Sequence, residues 1–317
     1  MSPTPEIALV LGAGGARGLG HIAVLEAFDE LGLRPARICG SSIGAIVGAA
    51  FAAGLSGRDL REHALSTFRD RARVIARLID CRVGKLADLM RGLGNPVLID
   101  GERLLDLFWP EAVPDRFEEL AIRFTAIAAD YHRHARVALT EGPLTPAVAA
   151  SLAIPGLVRP VTLGGRVLID GGAIDPLPYG VVAAPGRIVG GVDVRAPAAA
   201  PGEARIPGAM EAITGASQIL TRTLVQQMIA RGPPDILIRA GADGIGGLDF
   251  FKAKTILAAA EPVKDEVKRA LARALEARAE SRPATTAARN ATSRAWTTRL
   301  FFSSSPRPSC SPASSRA

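Results

Sequence analysis

Residues 6–11 (EIALVL) are an apolar run of strand length, which the glycine-rich stretch GAGGARG interrupts. From about Leu19 to Leu31 the apolar positions fall at 22, 25, 28 and 31, the spacing of one helix face. A second short run at 36–40 (ARICG) is followed by Ser41-Ser42 and another helical stretch ending near Gly54, a residue suited to a helix C-terminus. Strand, glycine turn and helix in this order make a βαβα unit, which predicts a parallel sheet. Between Arg58 and Arg91 the pattern becomes amphipathic and helical, and 102–109 (ERLLDLFW) predicts a further helix stopped by Pro110; approximately 58–110 is therefore read as a helical cap. Strands are expected at 122–129 and 135–140, a short helix at 146–153, and strands at 166–172 and 187–194. A long helix over 208–231, a strand at 235–240 and a helix over 261–280 complete the chain. The expected fold is α/β, a three-layer α/β/α sandwich with a mostly parallel central sheet, built as one domain over 1–280.

Beyond 280 the pattern disappears. Residues 281–317 hold Ser, Pro, Thr, Ala and six arginines with no Asp, Glu or Lys, a composition expected to stay disordered. Those arginines carry most of the formal charge of +7 and leave +1 for residues 1–280, so the basic balance is no argument for nucleic acid. The three cysteines are far apart in sequence and lack metal-ligand spacing, and a reducing compartment suits them. No leader-like N-terminus is visible, and the longest apolar stretch, 43–55, is too short to span a bilayer. The expectation is a cytoplasmic protein with at most peripheral membrane contact.

Two turns carry chemistry. Gly40-Ser41-Ser42-Ile43-Gly44 fits G-x-S-x-G between a predicted strand and a predicted helix, the setting in which a serine hydroxyl is raised above a sheet at a helix N-terminus. Ser42 is the candidate nucleophile. The loop from Gly12 to Gly18 exposes backbone N–H groups, either for the phosphates of a nucleotide or for an oxyanion. The dinucleotide reading is weaker, because G-x-G-x-x-G is not met starting from Gly12 or Ala13 and no acidic residue ends the second strand. Arg17 is assigned to orienting the loop or meeting an anionic group.

A hydroxyl nucleophile needs a base, yet the histidines are only His21, His63, His132 and His134. A serine, acid, histidine order along the chain cannot be built with no histidine after 134. What remains is Asp170 in Ile169-Asp170-Gly171-Gly172, a carboxylate closing an apolar strand.

The stretches LGAGGARGLGHIAVLEAFDELGL, GSSIGAIVGAAFAAG and IDGGAIDPLP together resemble the patatin-like phospholipase family, and 150–161 and 235–260 are similar to its later bacterial segments. The resemblance covers nearly all of 6–280. It implies a patatin-like fold and a serine acyl hydrolase of the phospholipase A or lysophospholipase kind, acting on lipid acyl esters. It further implies a Ser42–Asp170 dyad, an oxyanion hole from the amides around Gly14, Gly15 and Gly18, and neither metal nor cofactor. Ala13 departs from the family pattern, where glycine is usual. Readings in other classes are a non-catalytic lipid-binding protein and a nucleotide-binding regulator that uses the glycine loop.

Overall fold

The computed structural model describes residues 6–83, 98–195 and 206–280. The middle of the expected cap, 84–97, and the expected tail, 281–317, lie outside the described residues. The chain forms two compact units, Met1–Leu275 and Glu276–Ala317; of the second only the first residues, the end of a helix, are described.

The strands are β1 Ile7–Leu11, β2 Arg37–Ser41, the two-residue pair β3 Arg82–Val83 and β4 Leu98–Ile99, then β5 Arg123–Asp130, β6 Ala135–Leu139, β7 Val161–Leu163, β8 Arg166–Asp170, β9 Ile188–Asp193 and β10 Ile236–Arg239. The eight-stranded sheet has the order β10-β9-β1-β2-β5-β8-β7, with β6 also pairing β5. From β10 to β5 all neighbours are parallel. The pairs β5–β6, β5–β8 and β7–β8 are antiparallel. The sheet is thus mixed and mostly parallel, with helices on both faces.

The layering follows from the pleat, which sends alternate side chains to opposite faces. Ile7, Leu9 and Leu11 of β1 join one core with Ile22, Leu25 and Phe28 of helix α1 (His21–Glu30) and the apolar side of α2 (Ile43–Ala52). Ala8 and Val10 join another with Leu177, Val182 and Val225. Burial on both faces explains why β1 reads as a continuous apolar run rather than an alternating one.

The expected cap region holds helices α3 Gly57–Thr67, α4 Arg71–Asp80 and α5 Gly101–Phe108. Each starts at a side-chain cap. Ser56 and Asp59 form a reciprocal capping box on α3, Asp70 accepts the N–H of Arg73, and Asp100 accepts those of Glu102 and Arg103. Helix α3 lies against α1, where Arg61 pairs with Glu26 and the Gly57 N–H meets Asp29 at 2.6 Å. Trp109, after α5, reaches the Ile46 carbonyl of α2 with its indole N–H at 3.3 Å. Short helices α6 Leu144–Ser151 and α7 Tyr179–Val182 precede the long α8 Ala209–Arg231, and α9 Ala253–Ala260 and α10 Val263–Glu280 close the described chain.

One feature of the sheet positions the site. Strand β2 pairs with β5 from Arg123 to Ile127, and β8 pairs with the same strand from Ala128 to Asp130. Because β6 pairs with β5 across both stretches, β2 and β8 share the other edge. They therefore meet end to end: Ser41 stands opposite Ile127 and Asp170 opposite Ala128. Reading the strand at 166–172 as part of a parallel run would put its C-terminal end beside that of β2 in the ordinary way. Instead it arrives from the opposite direction, after a β7–β8 hairpin whose turn, Gly164-Gly165, has φ of 55° and 71°. Two successive left-handed residues are what a tight hairpin turn requires, and glycine supplies them without strain.

Candidate active site

The chain leaves β2 through Ser42, whose φ of 56° and ψ of −125° lie outside the regions a residue with a side chain normally occupies. Holding such a conformation costs on the order of 1–3 kcal/mol, so the surroundings must fix it. The glycines two positions to either side make the turn passable. A Cβ on Gly40 would stand 2.4 Å from the Gly44 carbonyl oxygen, and one on Gly44 would stand 2.1 Å from that of Leu11. The Ser42 side chain lies at the N-terminal end of α2, where the helix dipole favours developing negative charge. Ser41, by contrast, is fully buried, and its hydroxyl has no hydrogen-bond partner among the described residues.

Ser42 Oγ donates to Asp170 Oδ2 at 2.6 Å. Both side chains are buried, at 6% and 7% exposure. The other carboxylate oxygen accepts the N–H of Gly172 at 2.6 Å, and the Asp170 N–H is held by the Ala153 carbonyl at 2.9 Å. Burial pushes the Asp170 carboxyl up from its ordinary 3.8 to about 6, against the opposing pull of the Ser42 hydroxyl and the Gly172 amide. A carboxylate so placed is a stronger base than a solvated one and remains mostly ionised at neutral pH. It faces the hydroxyl directly, in the geometry a proton acceptor needs.

The glycine loop links β1 to a 3-10 turn, Gly15–Gly20, which runs into α1. Several of its amides are committed: Gly12 N–H to the Val192 carbonyl, Ala13 N–H to Pro176 and Ala16 N–H to Gly247, at 3.0, 2.8 and 2.7 Å. Those of Gly14 and Gly15 make no such loop contact among the described residues. Gly14 lies against Val194, where a Cβ would come within 2.4 Å of a methyl group. Gly18 has a packing duty, because a Cβ there would stand 2.2 Å from Ile43 Cγ2, the residue after Ser42. A Cβ on Gly172 would stand 3.1 Å from that of Ala13, so the glycine loop and the turn after Asp170 lie side by side.

Arg17 is 9% exposed and donates through Nε to the Gly14 carbonyl at 3.3 Å. Burial, then the nearby positive charge of Arg195, pulls its guanidinium below the ordinary arginine value, while Asp193 acts the other way. Its one hydrogen bond among the described residues is to the loop.

The histidines stand elsewhere. His21 is wholly buried with Nε2 2.9 Å from the Gly12 carbonyl, which makes that nitrogen the donor and leaves Nδ1 without a partner among the described residues. Burial pulls it down to about 4, so it is neutral at neutral pH. His63 lies within α3 near Thr67, and His132 and His134 are exposed in the β5–β6 turn. Replacing His21 by Gln, which can keep the contact to Gly12, is expected to leave ester turnover within about tenfold of wild type in a folded protein. Steady-state kinetics check this, and a loss of a thousandfold would make His21 part of the chemistry. Among the described residues no group of three or more His, Cys, Asp or Glu is placed to hold a metal ion. Nor is any described helix long and apolar enough to cross a membrane.

Ser151 escaped the sequence reading. Its hydroxyl accepts the Ser42 N–H at 2.9 Å and donates to the Ile127 carbonyl at 2.6 Å. The local signal was a serine at the end of a short apolar helix, which says nothing about a partner 109 positions away.

A serine at a strained strand-to-helix turn, hydrogen-bonded to a buried carboxyl beside a glycine loop, has the layout of a serine hydrolase site. The chain belongs to the patatin-like phospholipase family, whose model matches residues 9–183. An uncharacterized NTE family protein of Mycobacterium bovis is 40% identical over 182 residues, 57% of this chain and 47% of that one. Patatin-like phospholipase domain-containing protein 7 of Rattus norvegicus is 31% identical over 191 residues, 59% of this chain and 13% of the rat protein. Lysophospholipase NTE1 of Yarrowia lipolytica is 30% identical over 192 residues, 59% of this chain and 12% of the yeast protein. The matched part therefore spans half or less of these relatives. Among solved structures, ExoU of Pseudomonas aeruginosa in its complex with SpcU aligns over 87% of this chain and 53% of that one, with a TM-score of 0.43 and 15% identity.

Proposed function

We propose that the chain is a serine acyl hydrolase that cleaves fatty-acyl esters of lipids, in the manner of a phospholipase A or lysophospholipase, through a Ser42–Asp170 dyad. The observation that carries this reading is the 2.6 Å hydrogen bond from Ser42 Oγ to a buried Asp170. Family membership and the lysophospholipase name of the yeast relative support a lipid substrate.

In the first half-reaction Ser42 Oγ attacks the ester carbonyl carbon as its proton passes to Asp170 Oδ2. The carbonyl oxygen, now an oxyanion, is received by the free amides of Gly14 and Gly15, with Gly18 shaping the turn that presents them. The C–O bond then breaks, the alcohol leaves with the proton from Asp170, and the acyl group remains on Ser42. Water then attacks the acyl carbon as its proton passes to Asp170, and the fatty acid is released as that proton returns to the departing Ser42 Oγ. The amides supply much of the stabilisation, since a carboxylate is a modest base for a hydroxyl. Arg17 holds the Gly14 carbonyl and so fixes the direction of the loop.

A fluorophosphonate probe tests the reading. It should label the protein at Ser42, as mapped on peptides, and the labelled protein should no longer release fatty acid from a panel of phospholipids, lysophospholipids and acylglycerols. A label on Ser41, or an unlabelled and inert protein, would overturn the proposal.

A further inference from the structure

Both members of the pair are held from behind by one helix end. Helix α6 finishes at Ser151, whose hydroxyl accepts the Ser42 N–H at 2.9 Å; two residues on, the Ala153 carbonyl accepts the Asp170 N–H, also at 2.9 Å. The Ser151 hydroxyl in turn donates to Ile127 at 2.6 Å. Ile127 is the residue of β5 at which pairing passes from β2 to β8. A serine in a helix can point its hydroxyl to solvent or return it to the carbonyl four residues back in its own helix. Here the fully buried hydroxyl is spent on two other segments, at the seam where the nucleophile strand and the aspartate strand meet.

The geometry points to Ser151 as a positioning residue for acyl transfer: its hydroxyl fixes the strained backbone of Ser42 to β5, while the turn it begins fixes Asp170. The inference rests on the dyad reading above and deepens it. Without the hydroxyl the Ser42 N–H is a buried donor lacking its acceptor, and the left-handed turn loses the tie that holds it open. The Ser42 side chain then drifts from Asp170, which slows proton transfer and attack more than it weakens substrate binding.

The test uses the full chain with Ser151→Ala and Ser151→Thr, a soluble short-chain ester and the fluorophosphonate probe. In Ser151→Ala both kcat and the labelling rate of Ser42 should fall by about tenfold to a hundredfold, with KM changed by less than about threefold. The acidic limb of the kcat profile should move to higher pH, because the Ser42 hydrogen bond is the main force opposing burial at Asp170. Ser151→Thr, which keeps the hydroxyl, should recover most of the rate. A folded Ser151→Ala with wild-type kcat and an unmoved acidic limb would overturn the inference, as would a folded Ser151→Thr as slow as alanine. If Ser151→Ala does not fold, the nearly isosteric Ser151→Cys carries the test: its weaker hydrogen bonds should lower kcat at least about fivefold with the same upward shift, and wild-type values would overturn it. These results are separable from the parent reading. A wild-type chain that neither labels nor hydrolyses removes the dyad and the inference together, whereas an active wild type with indifferent Ser151 variants removes the inference alone.

Discussion

Asp170→Asn is expected to fold and to bind substrate while losing about a thousandfold or more in kcat. The amide nearly preserves the shape, and its oxygen can still accept the Gly172 N–H at the 2.6 Å position. Toward Ser42, however, it presents either a donor or an oxygen too weakly basic to take a proton. In wild type the acidic limb of kcat/KM should follow one ionisation near 6 rather than the ordinary 3.8, so activity rises between pH 5 and 7. Stability has the opposite dependence. A carboxyl whose folded-state value is raised binds its proton more tightly in the folded protein, and the stability this contributes is complete below 3.8 and lost as pH rises through about 6. At pH 8 the ionised Asp170 thus costs the fold on the order of 3 kcal/mol. Asn carries no such charge, so the variant should melt no lower than wild type at pH 8 while being nearly inactive. Near-full turnover in the folded variant would send the search for the base to another group.

The parts of this site that were legible in sequence are those built from adjacent residues. Glycines at 40 and 44 around Ser42, an apolar strand before and a helix after, are enough to describe an elbow, because the pattern that marks it lies within about ten residues. Likewise the run from Gly12 to Gly18 marks a glycine turn without any knowledge of the sheet, but not which of its amides are committed, those of Gly12, Ala13 and Ala16 being bound to distant carbonyls. The choice of Asp170 as partner rests on other grounds: no histidine follows position 134, the carboxylate closes an apolar strand, and the family resemblance implies the dyad. The route by which that strand end comes to lie beside Ser42 is not legible in the sequence. Strand β8 runs antiparallel to β5, and only the register Ala128 opposite Asp170 brings its end to that of β2. Register depends on side chains from strands dozens of residues apart, which no local pattern encodes. The three-residue strand Val161–Leu163 has no counterpart among the expected elements for a different reason, being too short to show a period. The helix expected over 261–280 is α10, Val263–Glu280, whereas α9, Ala253–Ala260, has no counterpart among the expected elements, and Pro262 lies between the two. There a local signal existed, since proline lacks the N–H that a continuing helix would use.

The second large effect is expected at Gly15. Its φ is 59°, and a Cβ there would stand 2.1 Å from the Gly247 carbonyl oxygen, which is the acceptor of the Ala16 N–H. Alanine must therefore either leave the left-handed region or push the 247 backbone away, and each route turns the Gly14 and Gly15 amides from the direction they now face. If those amides receive the oxyanion, Gly15→Ala should lose about a hundredfold or more in kcat, the usual effect of removing one such donor. Gly32 separates this from simple backbone strain. It has nearly the same φ, 63°, but nothing lies within 4 Å of its Cβ position, at the turn after α1. Gly32→Ala should cost about 1 kcal/mol of stability through its conformation alone and leave kcat within about twofold. Thermal melts and steady-state kinetics on the two variants side by side decide the point. Were folded Gly15→Ala to turn over as fast as Gly32→Ala, the loop would be packing rather than catalytic, and the oxyanion donors would have to come from elsewhere, the Ile43 amide at the start of α2 being the first alternative.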